Sequence, residues 1–195
     1  MPELSAAELG AVQVPELICS VDGLSRQPGT SKQLTIDFEA PAVIGTAVIG
    51  VPEGEPVELE LLLESVLEGV LTTGTVRTTA VGECGRCLEE VGVPVVATFQ
   101  ELFQYPERAW GPPQADQGAD EDRFEVVDDT IDLNRPVTDA VVLSLPFSPL
   151  CRDDCEGLCP DCGARLADQP GHGHQSVDAR WAVLEEMLED EREEI

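Results

Sequence analysis

Cys151, Cys155, Cys159 and Cys162, followed by His172 and His174, place four soft thiols and two imidazoles in one short stretch of this chain. That donor set suits a tetrahedral zinc ion. Cys159-Pro160-Asp161-Cys162-Gly163 has the spacing of a zinc knuckle, a tight turn that aims two thiolates and nearby backbone N–H groups at one metal. Gly163 is expected where a Cβ would clash with that turn. A second pair, Cys84-Gly85-Arg86-Cys87, brings the plausible ligands to six Cys and two His, enough for two tetrahedral ions. One natural split joins Cys159/Cys162 to His172/His174 and Cys84/Cys87 to Cys151/Cys155. Cys151 and Cys155 are four residues apart, so a helical turn would put both on one face, whereas the spacing of His172 and His174 suits extended chain. Two readings compete with metal: reduced structural thiols at the C-terminal cluster, and a redox pair at Cys84/Cys87 with Arg86 lowering a thiol pKa. Cys19, between Ile18 and Ser20 and near Leu17 and Val21, reads as a buried small hydrophobe.

A catalytic metal needs an open coordination position and a nearby base. Here the ligands outnumber what one ion needs, so the expectation is structural zinc, one or two ions, and no enzyme. The sequence carries no HExxH, P-loop, GxSxG or dinucleotide fingerprint. Its two histidines are both claimed by the metal, which leaves none for acid–base work. No small-molecule substrate is implied.

The 195 residues carry 39 acidic and 11 basic side chains, a formal net charge of −28. Such a field repels phosphate backbones at long range and favours basic protein partners. The plainer alternative is that the charge serves solubility. Aromatics are only 4% of a composition that is 42% hydrophobic, so the core must be built from Val, Leu, Ala and Ile. The first residues show no positively charged leader with an apolar run, and no stretch has the length to span a membrane. Seven cysteines without such a leader point to a reducing compartment, and the cytoplasm is the expected location. Lys32 is the single lysine among the basic residues, the codon usage of a GC-rich bacterial genome.

These groups need a scaffold. Residues 1–16 read as a short acidic helix or tail. From 17 to about 105 Val, Thr and Leu dominate, with alternation in Val57-Glu58-Leu59-Glu60-Leu61 and from Val70 to Val81. Gly69, Gly74 and Gly82 suggest bulges or bends of a strongly curved sheet. Cys84–Cys87 falls at the tip of a hairpin. Residues 106–130, rich in Pro, Gly and acids, read as an exposed loop. Ile131-Asp132-Leu133 reads as a short strand. Asn134 reads as the N-cap of a helix with Pro136 in its first turn and Val137, Ala140 and Val141 facing the core. Pro146 and Pro149 end it. Asp178 can cap a last helix bearing Trp181, Leu184 and Leu188 at helical spacing. The expected class is α+β: a curved antiparallel sheet or partial barrel with a helix and a C-terminal zinc-binding segment. The divisions are 1–16, a sheet domain over 17–150 with acidic loop 106–130, and 151–195.

RQPGTS (26–31), GECGRCLEEV (82–91), IDLNRPVTDAVVLSLPFSPLC (131–151), CEGLCPDCGARL (155–166) and VDARWAVLEEM (177–187) together resemble the YceD family, the large ribosomal RNA subunit accumulation proteins. Many relatives carry Cys-x-Cys where this chain has His172-Gly173-His174, a swap that preserves a zinc site and little else. The resemblance implies a non-enzymatic factor of ribosome biogenesis, needed for accumulation of large-subunit (23S-type) rRNA, in bacteria and chloroplasts. It implies no catalytic residues. Combined with the charge, it points to a basic ribosomal protein or assembly factor as partner rather than extended contact with rRNA.

Overall fold

The structure, a computed structural model, describes residues 14–24, 27–106 and 123–174. Most of the expected N-terminal tail, the middle of the acidic loop and the last helix, with Asp178, Trp181, Leu184 and Leu188, lie outside the described residues. The strands are β1 (Ile18–Ser20), β2 (Ser31–Glu39), β3 (Ile44–Gly45), β4 (Ile49–Val51), β5 (Pro56–Ser65), β6 (Gly69–Glu83), β7 (Glu90–Gln104), β8 (Phe124–Glu125) and β9 (Thr130–Asp132), followed by the helix α1 (Asn134–Ser144). The described residues divide into two compact units. The first takes them from Met1–Gly85 and Glu89–Cys151, the second from Arg86–Leu88 and Arg152–Ile195.

In the first unit the alternation of β5 has its expected result. Val57, Leu59, Leu61 and Leu63 are buried, while Glu58 and Glu60 face solvent. A strand with one apolar face needs neighbours of the same kind, and β6 supplies Val70, Val76 and Ala80 on its buried positions. The hairpin of β6 and β7 organises the sheet. Its ladder runs unbroken from Gly69 opposite Gln104 to Glu83 opposite Glu90. At about 3.3 Å per residue such strands are too long to stay flat under the native twist. The sheet curls into a half-barrel of mostly antiparallel strands. Along its other edge β6 pairs with β5 and then, past Arg77, with β4. β2 flanks β5 and β3 flanks β4.

Of the bulges or bends suggested at Gly69, Gly74 and Gly82, no bulge forms, because the ladder does not slip at any of them. These glycines serve close approach instead. A Cβ on Gly69 would fall on the Phe103 carbonyl, one on Gly74 on the Phe99 ring, and one on Gly82 against Val48 and Ile49.

α1 packs on β7, with β3 and β6 also in contact. It buries Val137 and Val141, with Ala140 packed beside them. It ends where Leu145, preceding Pro146, turns to extended conformation. Asn134 is not the N-cap. It is the first helical residue, and its side-chain Oδ1 accepts the Val14 N–H at 2.7 Å while its own N–H donates to Asp132 Oδ1. The amide therefore ties the chain before β1 to the start of the helix. β1 and β9 complete that join as a separate two-stranded sheet, with Cys19 opposite Ile131.

The acidic stretch does not stay a loop to residue 130. β8 pairs in parallel with the end of β7, Phe124 lies 5.3 Å from Phe103 between ring centroids, and Val126 is buried. Asp128 and Asp129, both at positive φ, turn the chain into β9. No helix among the described residues is long and apolar enough to cross a membrane.

Among its described residues, the second unit has little regular structure. Leu158 and Arg165 form an isolated bridge, and Leu166–Asp168 is one 3-10 turn. Leu158 N–H donates to the Arg86 carbonyl at 3.1 Å, and Leu166 N–H to that of Gly157 at 3.1 Å. Residues 152–174 carry few large apolar side chains, too few to hold that stretch together by packing alone.

Candidate metal centres

The eight expected ligands fall into two groups of four: Cys84, Cys87, Cys151 and Cys155, and Cys159, Cys162, His172 and His174. Within each group the ligand atoms lie within 4.8 Å of one another. Each group could hold a metal ion. This is the partition offered above as one natural split.

Hairpin geometry positions the first pair. Cys84 N–H donates to the Glu89 carbonyl at 2.7 Å, which closes the loop after β6. Gly85 N–H donates to the Pro149 carbonyl at 2.8 Å, and this holds the segment leading to Cys151 beside the loop. Cys155 follows from a turn in which its N–H donates to Arg152 O at 3.1 Å. The Arg86 guanidinium donates to the carbonyls of Cys155 and Asp153, at 2.9 and 3.2 Å. It is therefore spent on backbone oxygens. Cys84 is 0% exposed and Cys87 7%. Buried thiols exchange poorly with partners in solution, so this environment does not favour the redox pair weighed from the sequence.

The second group is a knuckle followed by a turn, in which the His172 N–H donates to the Gln169 carbonyl at 3.0 Å. Gly163 N–H donates to the Cys159 carbonyl at 2.8 Å, and Cys159 N–H to that of Ala164 at 2.7 Å. Gly163 sits at φ +72°, and a Cβ built there would meet nothing within 4 Å. The glycine is needed for its left-handed backbone, not for room as its place in the motif suggested. Leu88, the residue after Cys87, has the same handedness at φ 61°. Both Cys-x-x-Cys turns are thus followed by a left-handed residue. The Cys159 thiol is held below its ordinary value, first because the Cys162 backbone N–H points at it, with burial opposing and the Asp161 N–H and the Cys162 thiol adding to the effect.

The imidazoles converge on the same point. His172 Nε2 is 3.2 Å from Cys162 Sγ, His174 Nε2 is 3.2 Å from that sulfur, and the two Nε2 atoms are 3.0 Å apart. One proton can bridge one edge of this triangle. A cation bound by all three would satisfy them together.

Cys19 stands apart from both groups. It is buried in the core, and burial raises its thiol pKa, with Lys32 opposing. Among the exposed apolar side chains are Leu143, 85% exposed, and Phe147, fully exposed between Pro146 and Ser148, neither anticipated from the sequence. Their only sequence signal is that Leu143 falls off the Val137–Val141 stripe of α1.

Comparison with known proteins bears on what this chain is. The sequence profile described as "Large ribosomal RNA subunit accumulation protein YceD" matches residues 72–188, more than half of the chain. The chain belongs to the YceD family. The matched region of this YceD chain includes all eight expected ligands. Uncharacterized proteins of Mycobacterium bovis and Mycobacterium tuberculosis are 50% identical to it over 166 residues, 85% of this chain and 78% of theirs. One from Mycobacterium leprae is 40% identical over 176 residues, 90% of this chain and 79% of its own. A maize protein named "Large ribosomal RNA subunit accumulation protein YCED homolog 1, chloroplastic" is 29% identical over 116 residues, 48% of this chain and 40% of its own. No solved structure matches the chain.

Proposed function

We propose that this chain is a non-enzymatic factor supporting accumulation of large-subunit rRNA in ribosome biogenesis, held in shape by two structural zinc ions. The observation that carries the reading is the YceD match across the segment that also holds both four-ligand groups. The name of the maize relative supports the rRNA connection.

Zinc fits the donor chemistry. Thiolate and imidazole donors in fours are the structural zinc set. With Zn–N near 2.0 Å and Zn–S near 2.3 Å, a tetrahedron has N–N edges of about 3.3 Å and S–N edges of about 3.5 Å. The observed 3.0 and 3.2 Å edges of the second group are close to these. Four ligands close the coordination sphere, which supports a structural rather than a hydrolytic metal. When bound, zinc supplies folding free energy to segments that lack a core.

The partner is a basic ribosomal protein or assembly factor. The net charge of −28 favours a positively charged surface and opposes extended contact with RNA phosphates. The cytoplasm of a bacterial cell is the proposed location.

The test is the ratio of mature large-subunit to small-subunit rRNA in cells depleted of the protein. The ratio falls on depletion and returns with the wild-type chain. An unchanged ratio would remove the rRNA assignment.

A further inference from the structure

The two groups differ in how open they are. Cys84, Cys87 and Cys155 are buried, at 0%, 7% and 5% exposure, and only Cys151 faces solvent. In the second group only Cys159 is buried. Cys162 and His174 are exposed and His172 is half-buried. Chelators and oxidants remove a metal by reaching a ligand first, so solvent access to ligands sets the rate.

We propose that the Cys159/Cys162/His172/His174 centre is the exchangeable one, and that peroxides convert Cys159 and Cys162 into a disulfide with release of its ion. The inference rests on the zinc reading above and adds a modification site to it. The exposed Cys162 thiolate attacks one peroxide oxygen. The O–O bond breaks, Cys162 becomes a sulfenic acid, and the departing hydroxide takes a proton to give water. The Cys159 thiolate then attacks the Cys162 sulfur and expels its hydroxide, which a second proton turns into a second water. Two thiolates lose two electrons, one peroxide gains them, and zinc leaves with its charge unchanged.

The local geometry suits this step. The two sulfurs lie within 4.8 Å of each other in one turn, closed by the Gly163 N–H to Cys159 carbonyl bond. The histidines that remain cannot hold the ion once both thiolates are gone. In the first group an oxidant reaches Cys151 but finds its three companions buried.

The experiment uses the intact chain loaded with two equivalents of zinc and treated with hydrogen peroxide. Released zinc is followed with 4-(2-pyridylazo)resorcinol, and disulfides are mapped by mass spectrometry. One equivalent should leave at least about tenfold faster than the other, the scale on which a metal's surroundings alter its retention. The early disulfide should be Cys159–Cys162, and His174→Ala should remove the fast phase while keeping the slow one. Release of both ions at one rate, or an early disulfide at Cys84–Cys87, would overturn the proposal while leaving structural zinc in place. A chain that takes up no zinc at all would overturn the zinc reading itself, and this inference with it.

Discussion

The Nε2 atoms of His172 and His174 stand 3.0 Å apart, each 3.2 Å from the Cys162 sulfur. The His172 N–H donates to the Gln169 carbonyl at 3.0 Å, a turn that precedes the two rings. Metal binding by this arrangement and by the four cysteines would have consequences that separate it from a merely compact cluster of thiols.

Removing the metal should loosen one part of the chain and spare another. Chelation, or Cys159→Ser, should abolish amide-exchange protection at Cys159 and Gly163, whose N–H groups are bonded inside the knuckle. The β6–β7 ladder, backed by Val70, Val76 and Phe103, should keep its protection. Hydrogen exchange with and without zinc measures both. Unchanged protection in the knuckle would mean that it folds without metal.

The core and the exposed apolar side chains should respond oppositely to truncation. Leu59 is 0% exposed, and Leu59→Ala should cost about 2–5 kcal/mol in urea unfolding of the sheet unit. Phe147 is fully exposed, and Phe147→Ala should change stability by less than about 0.5 kcal/mol. A large loss at Phe147 would show that its ring is covered in solution.

Much of this organisation is legible in the residues, for physical reasons that vary by element. The ligand pairs follow from donor chemistry and local spacing, both properties of short stretches, whereas which pairs share a centre depends on the fold. The inward face of β5 and the Val137–Val141 stripe follow from periodicity. What periodicity does not carry is long-range geometry. Asn134 looks like an N-cap because a capping residue and a residue tying down a distant segment share the same amide, and only the fold brings Val14 to it. Gly69 and Gly82 look like bulges because a close approach between strands also demands the missing side chain. β8 hides in an acidic stretch because two residues show no alternation, and its anchor, Phe103, lies far back along the chain.

The left-handed residues after each Cys-x-x-Cys turn give a paired prediction. Gly163→Ala should weaken zinc binding by about tenfold, because an L-residue at φ +72° costs about 1–2 kcal/mol. Leu88→Gly removes the same penalty at φ 61° and should strengthen binding at the other centre or leave it unchanged. Zinc competition titrations with a chelator of known affinity read both. A Gly163→Ala chain with undiminished affinity would show that the turn tolerates a Cβ.

Partner capture should depend on salt. With a net charge of −28, the immobilised chain should retain a basic protein at about 0.05 M salt and lose most of it by about 0.5 M, as the Debye length shrinks to a few ångströms. Recovery of naked rRNA at the higher salt, without protein, would contradict the proposed mode of binding.

The most direct test of the two-centre account is zinc K-edge X-ray absorption on the intact chain, with the metal content measured on the same sample. Six cysteines and two histidines shared by two ions predict two zinc per chain. The mean shell would be three sulfurs at about 2.3 Å and one nitrogen at about 2.0 Å. One zinc per chain, a shell richer in oxygen, or no bound metal would contradict it.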